Sequence, residues 1–180
     1  LIDGARTWAS ALPVLAEPLA TGGEFSGARL AVGTADVHAL VIGLGLVPGD
    51  VVVMEGERTV AIGVSAAPVV DTSGRITVAA GFSRGYLPMI SVQTSDVGTP
   101  AAAVSAVDTF GRLGVAANGR FIIAERSGNS TLARDCAALI NRATERVVLH
   151  EAAVSGAARR AAGVLTGAWP LWPAAATTRV

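Results

Sequence analysis

The chain has 180 residues, of which 51% are hydrophobic and 16% are charged, and 14 acidic residues balance 14 basic ones. This size and composition predict one or two compact folded domains. All the basic residues are arginine, which excludes enzymes that depend on a P-loop lysine, a Schiff-base lysine or the strand lysine of protein kinases. The balanced charge argues against a nucleic-acid partner, because phosphate backbones are bound by an excess of cations.

The chain has one cysteine, Cys136, and two histidines, His38 and His150. A single cysteine cannot form an internal disulfide, and these three residues cannot make a structural zinc site without carboxylates. We therefore expect no metal and no cofactor. We also expect no membrane span, because no uncharged apolar run reaches the roughly 20 residues that a spanning helix needs. The sequence predicts no signal peptide, since no basic segment precedes an apolar core.

Residues 1–27 are predicted to form an irregular N-terminal arm, because Pro13 and Pro18 interrupt any long helix. A mainly β domain is predicted over residues 28–126.

Two segments of that domain have distinct patterns. Leu40–Val47 is an apolar, partly branched run that favours a buried strand, and Val51–Val64 is predicted to be a hairpin with its tip at Glu55–Arg58. The alternative for the first segment is a helix over Thr34–Leu44 capped by Thr34. That helix is disfavoured by glycines at positions 43 and 45.

An eleven-residue segment occurs twice with eight identical positions, as VDTSGRITVAA over Val70–Ala80 and as VDTFGRLGVAA over Val107–Ala117. In each copy an Asp can bond the backbone of a turn, a Gly can adopt a positive φ, and an Arg opens an apolar strand. We therefore predict a repeated turn-strand unit. Its equivalent turn residues are Asp71, Gly74, Arg75, Asp108, Gly111 and Arg112.

The hexapeptides Val70–Arg75 and Val107–Arg112, each followed by an apolar strand, resemble units that recur in bacteriophage tail-fibre and tail-spike proteins. The resemblance covers only the two copies. It implies a subunit that oligomerises through β faces, as a virion tail or adhesin component, and it favours a trimer.

Residues 127–180 are predicted to be a helical C-terminal segment. Leu132, Cys136, Leu139 and Ala143 share one face at helical spacing, which places Cys136 among buried apolar side chains. This helix lies between predicted strands at Phe121–Ala124 and Val147–His150, and an Ala-rich helix is predicted over Glu151–Leu165, an alternation typical of a small α/β unit.

The chain ends in a segment in which two tryptophans are flanked by prolines. Trp169, Leu171 and Trp172 cannot form a helix there, and large apolar side chains of this kind either anchor an interface or pack on their own domain. With the high apolar content, this segment predicts a homo-oligomer.

One alternative makes the protein an enzyme. Gly128-Asn129-Ser130 before a helix, followed by Val154-Ser155-Gly156, is similar to the first two blocks of SGNH-type esterases. The resemblance implies Ser130 as nucleophile and Gly156 as an oxyanion-hole donor, and His150 is the nearest histidine that could act as base. As a competing role, Ser130 or Thr131 caps the helix.

The sequence thus predicts an α+β chain with a mainly β body and a helical C-terminal third. A non-enzymatic structural or interaction subunit is the favoured function, and a serine hydrolase is the alternative.

Overall fold

The computed structural model describes residues 16–81, 85–93, 99–127 and 131–180. Their strands are β1 Thr21–Phe25, β2 Ala28–Ala31, β3 Val51–Met54, β4 Arg58–Gly63, β5 Ile76–Ala80, β6 Tyr86–Gln93, β7 Phe121–Glu125, β8 Glu145–Val148 and β9 Thr178–Arg179. Their helices are α1 Asp36–Leu44, α2 Thr99–Arg112, α3 Leu132–Ile140 and α4 Leu149–Thr166.

Strands β1 and β2 pair as a separate antiparallel hairpin, and the other seven form one mixed sheet in the order β5-β6-β4-β3-β7-β8-β9. Strands β3, β7 and β8 at its centre are parallel, whereas the strands on either side of them are antiparallel to their neighbours. The chain is therefore α+β, as the sequence predicts.

The core has two halves, one on each face of the sheet. Val51 and Val53 pack with helices α2 and α3, while Val52 faces α1 and α4. Phe121 and Ile122 divide between the two faces in the same way. Because both faces are covered, the central strands are uniformly apolar and do not alternate with polar residues. Such continuous apolar runs are usual for parallel strands.

The strand predicted over Leu40–Val47 is wrong, because α1 is a helix there, as in the alternative, although it begins at Asp36 with Ala35 rather than Thr34 at its N-cap. Gly45 has φ +58° and ends the helix in the left-handed conformation, so this glycine favours the helix end. Gly43 lies against the backbone of α4, where an added Cβ would come within 2.9 Å of the Gly156 nitrogen. Close packing of α1 on α4 thus offsets the low helix propensity of Gly43.

Two other predictions are confirmed. The hairpin predicted over Val51–Val64 is formed by β3 and β4, with Val51 opposite Gly63 and Met54 opposite Val60. The predicted alternation in the C-terminal third is present as β7, α3, β8 and α4.

The predicted turn-strand repeat is wrong for its second copy. In the first copy Asp71 closes a turn, Gly74 has φ +70°, and strand β5 follows. In the second, Val107–Arg112 forms the end of helix α2, so Asp108 and Gly111 occupy helical positions, and the left-handed residue is Gly114, at φ +73°.

The physical reason is Phe110, which stands where the first copy has Ser73. Phe110 is fully buried and extends an apolar helical face formed by Ala102, Ala103 and Ala106. A helix is the conformation that brings all four side chains to the core.

Among the residues that the structure describes, no helix combines the length and the apolar character needed to cross a membrane.

Candidate functional site at the carboxyl edge of the sheet

The parallel strands β3, β7 and β8 give the sheet two chemically different ends. We call the end where they start, at Asp50, Arg120 and Thr144, the amino edge. The end where they finish, at Glu55, Arg126 and Leu149, is the carboxyl edge.

At the amino edge an ion pair joins the residues before β3 and β7. Asp50 is 1% exposed, and its Oδ2 accepts hydrogen bonds from Arg120 Nη2 at 3.0 Å and Nε at 3.2 Å, while its Oδ1 accepts one from the Arg120 backbone N–H at 2.7 Å. Arg120 Nη2 also donates to the carbonyl oxygens of Leu44 and Gly45. Asp50 Oδ2 also accepts the Val47 N–H at 3.1 Å, so both oxygens of this carboxylate are hydrogen-bonded within the chain.

A second arginine ties the loop before β8 to the same region. The guanidinium of Arg142 donates to the carbonyl oxygens of Ala117 and Gly119 and lies 5.9 Å from the ring centroid of Phe121. The three loops of the amino edge are therefore held by arginine side chains.

At the carboxyl edge Glu55, the first residue of the turn between β3 and β4, fixes this hairpin to β7. The Glu55 N–H donates to the Ala124 carbonyl at 2.9 Å, and Glu55 Oε2 accepts the Arg126 backbone N–H at 2.9 Å. Gly56 follows in a tight tip where an added Cβ would come within 2.8 Å of the Arg58 carbonyl oxygen and 3.8 Å of Arg126 Nη2. The exposed Arg126 guanidinium therefore lies beside this glycine.

Strand β7 ends in a buried carboxylate. Glu125 is 1% exposed, and its Oε1 accepts the N–H of Ala133 in the first turn of α3 at 3.1 Å. The bond satisfies a helix-start N–H that has no partner within the helix. Beside Glu125 lies a cavity of about 150 Å³, also lined by Arg146, Val147, Val148, Glu151, Ala176 and Thr178.

The carboxyl edge is the end of the sheet at which the fold leads us to expect a ligand, and the amino edge has a cavity of its own, of about 420 Å³, lined in part by Arg120, Arg142 and Arg179. In open α/β sheets, ligands bind in the crevice beyond the carboxyl ends of the parallel strands. Here that crevice presents the exposed Arg126 guanidinium, which suits an anion, and the Arg126 backbone N–H, which the partly buried Glu55 carboxylate accepts. Within the described segments, no three His, Cys, Asp or Glu residues are grouped so that they could hold a metal ion.

Of the residues predicted for a serine hydrolase, His150 and Gly156 both lie on helix α4. Ser130 lies outside the described residues. His150 is exposed in the first turn of α4, and Gly156 lies within that helix against the backbone of Ala39. An N–H in the interior of a helix serves the helical hydrogen bonds and cannot act as an oxyanion donor.

The three tail residues predicted to pack or to form an interface differ in their exposure. Trp169 is partly buried and lines a cavity of about 170 Å³ with Arg159 and Leu46, whereas Leu171 is 101% exposed and Trp172 is 50% exposed. Whether these residues form an interface stays a prediction.

Cys136 is buried in the core, as predicted. Burial, followed by smaller contributions from the charges of Asp135 and Glu125, raises the pKa of its thiol to about 12. The thiol is therefore protonated and unreactive at neutral pH.

Sequence reasoning missed Glu55, Glu125 and Arg126 as site residues. The available signal was positional, because each follows or ends an uninterrupted apolar strand, Val51–Val53 or Phe121–Ala124. That signal needs the two strands to be parallel neighbours, and nothing in the sequence of either strand identifies its partner.

The sequence matches no protein-family model, and no curated protein matches it. Solved structures do match. Xylulose kinase from Bifidobacterium adolescentis superposes with a TM-score of 0.76 at 18% identity, over 98% of this chain and 51% of that one. Xylulose kinase from Rhodospirillum rubrum gives 0.60 at 16% identity, over 89% and 45%. A carbohydrate kinase from Novosphingobium aromaticivorans gives 0.59 at 14% identity, over 98% and 54%.

These matches correct the functional predictions. The tail-fibre resemblance is wrong, and so are the structural virion role and the serine hydrolase, since the fold is the one found in the matched xylulose and carbohydrate kinases. The expectation of a non-enzymatic protein fails for the same reason. The chain spans about half the length of the kinases it matches, and it has the fold of that half of a xylulose kinase.

Proposed function

We propose that this chain is part of a carbohydrate kinase, which transfers a phosphoryl group from a nucleotide to a sugar hydroxyl, and that its carboxyl edge binds phosphate. The observation that supports this most strongly is the match to xylulose kinase, with a TM-score of 0.76 over 98% of the chain. Because the chain corresponds to 51% of that kinase, we propose that further polypeptide completes the active site.

The absence of lysine is compatible with this reaction. Phosphoryl transfer depends mainly on positioning and on stabilising negative charge, which arginine and backbone N–H groups can do. The Arg126 guanidinium stands beside Gly56, with Nη2 3.8 Å from the position that a Cβ on Gly56 would take. A planar guanidinium can bond two phosphate oxygens at once, so we assign Arg126 the role of phosphate ligand.

Calorimetry tests the proposal with ADP and Mg²⁺ as ligand and adenosine as control. We expect ADP to bind and adenosine to bind much more weakly. Arg126→Ala should lower ADP affinity about tenfold, because it removes a charge-assisted hydrogen bond. Arg112→Ala is the matched control, since Arg112 is an exposed arginine at the end of α2. Failure of ADP to bind at millimolar concentration would overturn the proposal.

We also propose that the chain self-associates through its exposed apolar tail. Leu171 and Trp172 support this, because large apolar side chains exposed together are characteristic of interfaces. The preference for a trimer came from the tail-fibre resemblance and is dropped. Light scattering should give a mass above 18.1 kDa that falls to the monomer value in a Leu171→Ser, Trp172→Ser double variant. A monomeric wild type would contradict this.

A further inference from the structure

The donors that make the carboxyl edge suitable for an anion are already bonded to carboxylates of the chain. Glu55 Oε2 accepts the Arg126 N–H at 2.9 Å, and Glu125 Oε1 accepts the Ala133 N–H at 3.1 Å. The Glu55 carboxylate thus stands where a phosphate oxygen would be received, whereas Glu125 is buried and holds its N–H donor away from any ligand.

The two carboxylates differ in how firmly they are held. Glu125 is buried and caps α3 from within the protein. Glu55 is only partly buried, and its side chain lies at the edge of the hairpin beside an exposed residue, Arg126. Glu55 is therefore the carboxylate that can move away from its donor, while Glu125 is fixed.

We infer that Glu55 is an internal competitor for the phosphate of the ligand and sets the affinity of this edge for anions. The inference rests on the proposed function. A phosphate that takes the Arg126 backbone N–H has to displace the Glu55 carboxylate that accepts it, and a phosphate bound only at the nearby guanidinium is repelled by the same carboxylate. Glu55 is therefore a specificity-determining residue, since its negative charge weakens the binding of anions that carry no bound cation more than the binding of neutral ligands.

Two variants separate the charge of Glu55 from its hydrogen bond. Glu55→Gln keeps an oxygen that can accept the Arg126 N–H but removes the negative charge, and Glu55→Ala removes both. Glu24→Gln is the matched control, because Glu24 is an exposed glutamate on the separate β1–β2 hairpin. Intact folding is checked by protection of the buried thiol of Cys136 from thiol reagents.

The experiment is calorimetric titration with ADP in the absence of divalent cations, at constant ionic strength. We expect the ADP affinity to rise about threefold in Glu55→Gln, which loses only the repelling charge, and to stay unchanged in Glu24→Gln. We expect a rise of about tenfold in Glu55→Ala, because this variant also frees the Arg126 N–H for the ligand. Wild-type affinity in both Glu55 variants would overturn the inference and leave the proposed function standing. Absence of ADP binding in every protein, with or without Mg²⁺, would instead overturn the proposed function.

Discussion

The two edges of the central sheet use the same residue types for opposite purposes. At the amino edge Asp50 is paired with the side chain of Arg120, and both groups also bond the backbone of the loop after α1. At the carboxyl edge Glu55 and Glu125 accept backbone N–H groups, and the Arg126 guanidinium is exposed. The difference teaches that the Asp50–Arg120 pair ties loops of the fold together, whereas the exposed Arg126 guanidinium is the group that we propose binds a ligand.

The largest effect should follow from breaking the amino-edge pair. Asp50→Ala leaves Arg120 without its carboxylate and the Arg120 backbone N–H without its acceptor. We expect the free energy of unfolding to fall by about 3 kcal/mol, at the low end for a buried pair because the Arg120 side chain is 35% exposed. Urea unfolding followed by tryptophan fluorescence measures it.

If the two edges differ in this way, truncating a carboxylate at the carboxyl edge should lower the free energy of unfolding only slightly. Glu55→Ala should cost no more than about 1 kcal/mol, because its carboxylate is partly solvated and its acceptor role can be taken by water. Equal losses in Asp50→Ala and Glu55→Ala would mean that both edges are structural.

Two glycine-to-alanine substitutions, one at the amino edge and one away from both edges, should change the stability of the protein in opposite directions. A Cβ on Gly119 would collide with the Asp50 carboxylate and come within 2.9 Å of the Asp50 nitrogen, so Gly119→Ala should destabilise the protein by about 2 kcal/mol. Gly111 lies in α2 with nothing within 4 Å of an added Cβ, and Gly111→Ala should stabilise it by about 0.5 kcal/mol. Thermal unfolding of both variants measures the two effects.

A smaller effect is expected at Asp71, an exposed carboxylate that, like those of the carboxyl edge, accepts backbone N–H groups. Hydrogen bonds, chiefly from the side chain and backbone of Ser73, lower the pKa of Asp71 from 3.8 to about 2. A lowered pKa stabilises the folded state above pH 3.8, and this stabilisation is lost as the pH falls toward 2.

Melting temperatures at about pH 6 and pH 2.5 test this. Asp71→Asn should lose less on acidification than the wild type, because it has no such group to protonate. Asp108→Asn, at the equivalent position of the second sequence copy, should behave as the wild type does. The prediction fails if acidification lowers the melting temperature of Asp71→Asn and the wild type equally.

Local sequence patterns correctly predicted the elements whose structure depends mainly on nearby residues. The hairpin of β3 and β4, and helix α3 with Leu132 and Cys136 on its buried face, follow from turn residues and from helical spacing. The α+β class follows from such elements taken together. No knowledge of distant contacts is needed for these.

The failures arise where tertiary packing decides. Gly43 disfavours a helix locally, but close contact with α4 makes it suitable there, and α4 is more than one hundred residues away in sequence. Eight identical positions out of eleven did not give Val70–Ala80 and Val107–Ala117 the same structure, because Phe110 has a core to enter and Ser73 remains in an exposed turn. The carboxyl-edge site was missed because its residues meet only through the pairing of β3 with β7.

The most direct test of the carboxyl edge as the ligand-binding end is to follow backbone amide resonances while ADP and Mg²⁺ are added. The account predicts the largest shifts at Gly56 and Arg126, with Gly49 and Gly119 at the amino edge nearly unchanged. Shifts concentrated at Gly49 and Gly119, with Gly56 and Arg126 unmoved, would contradict it.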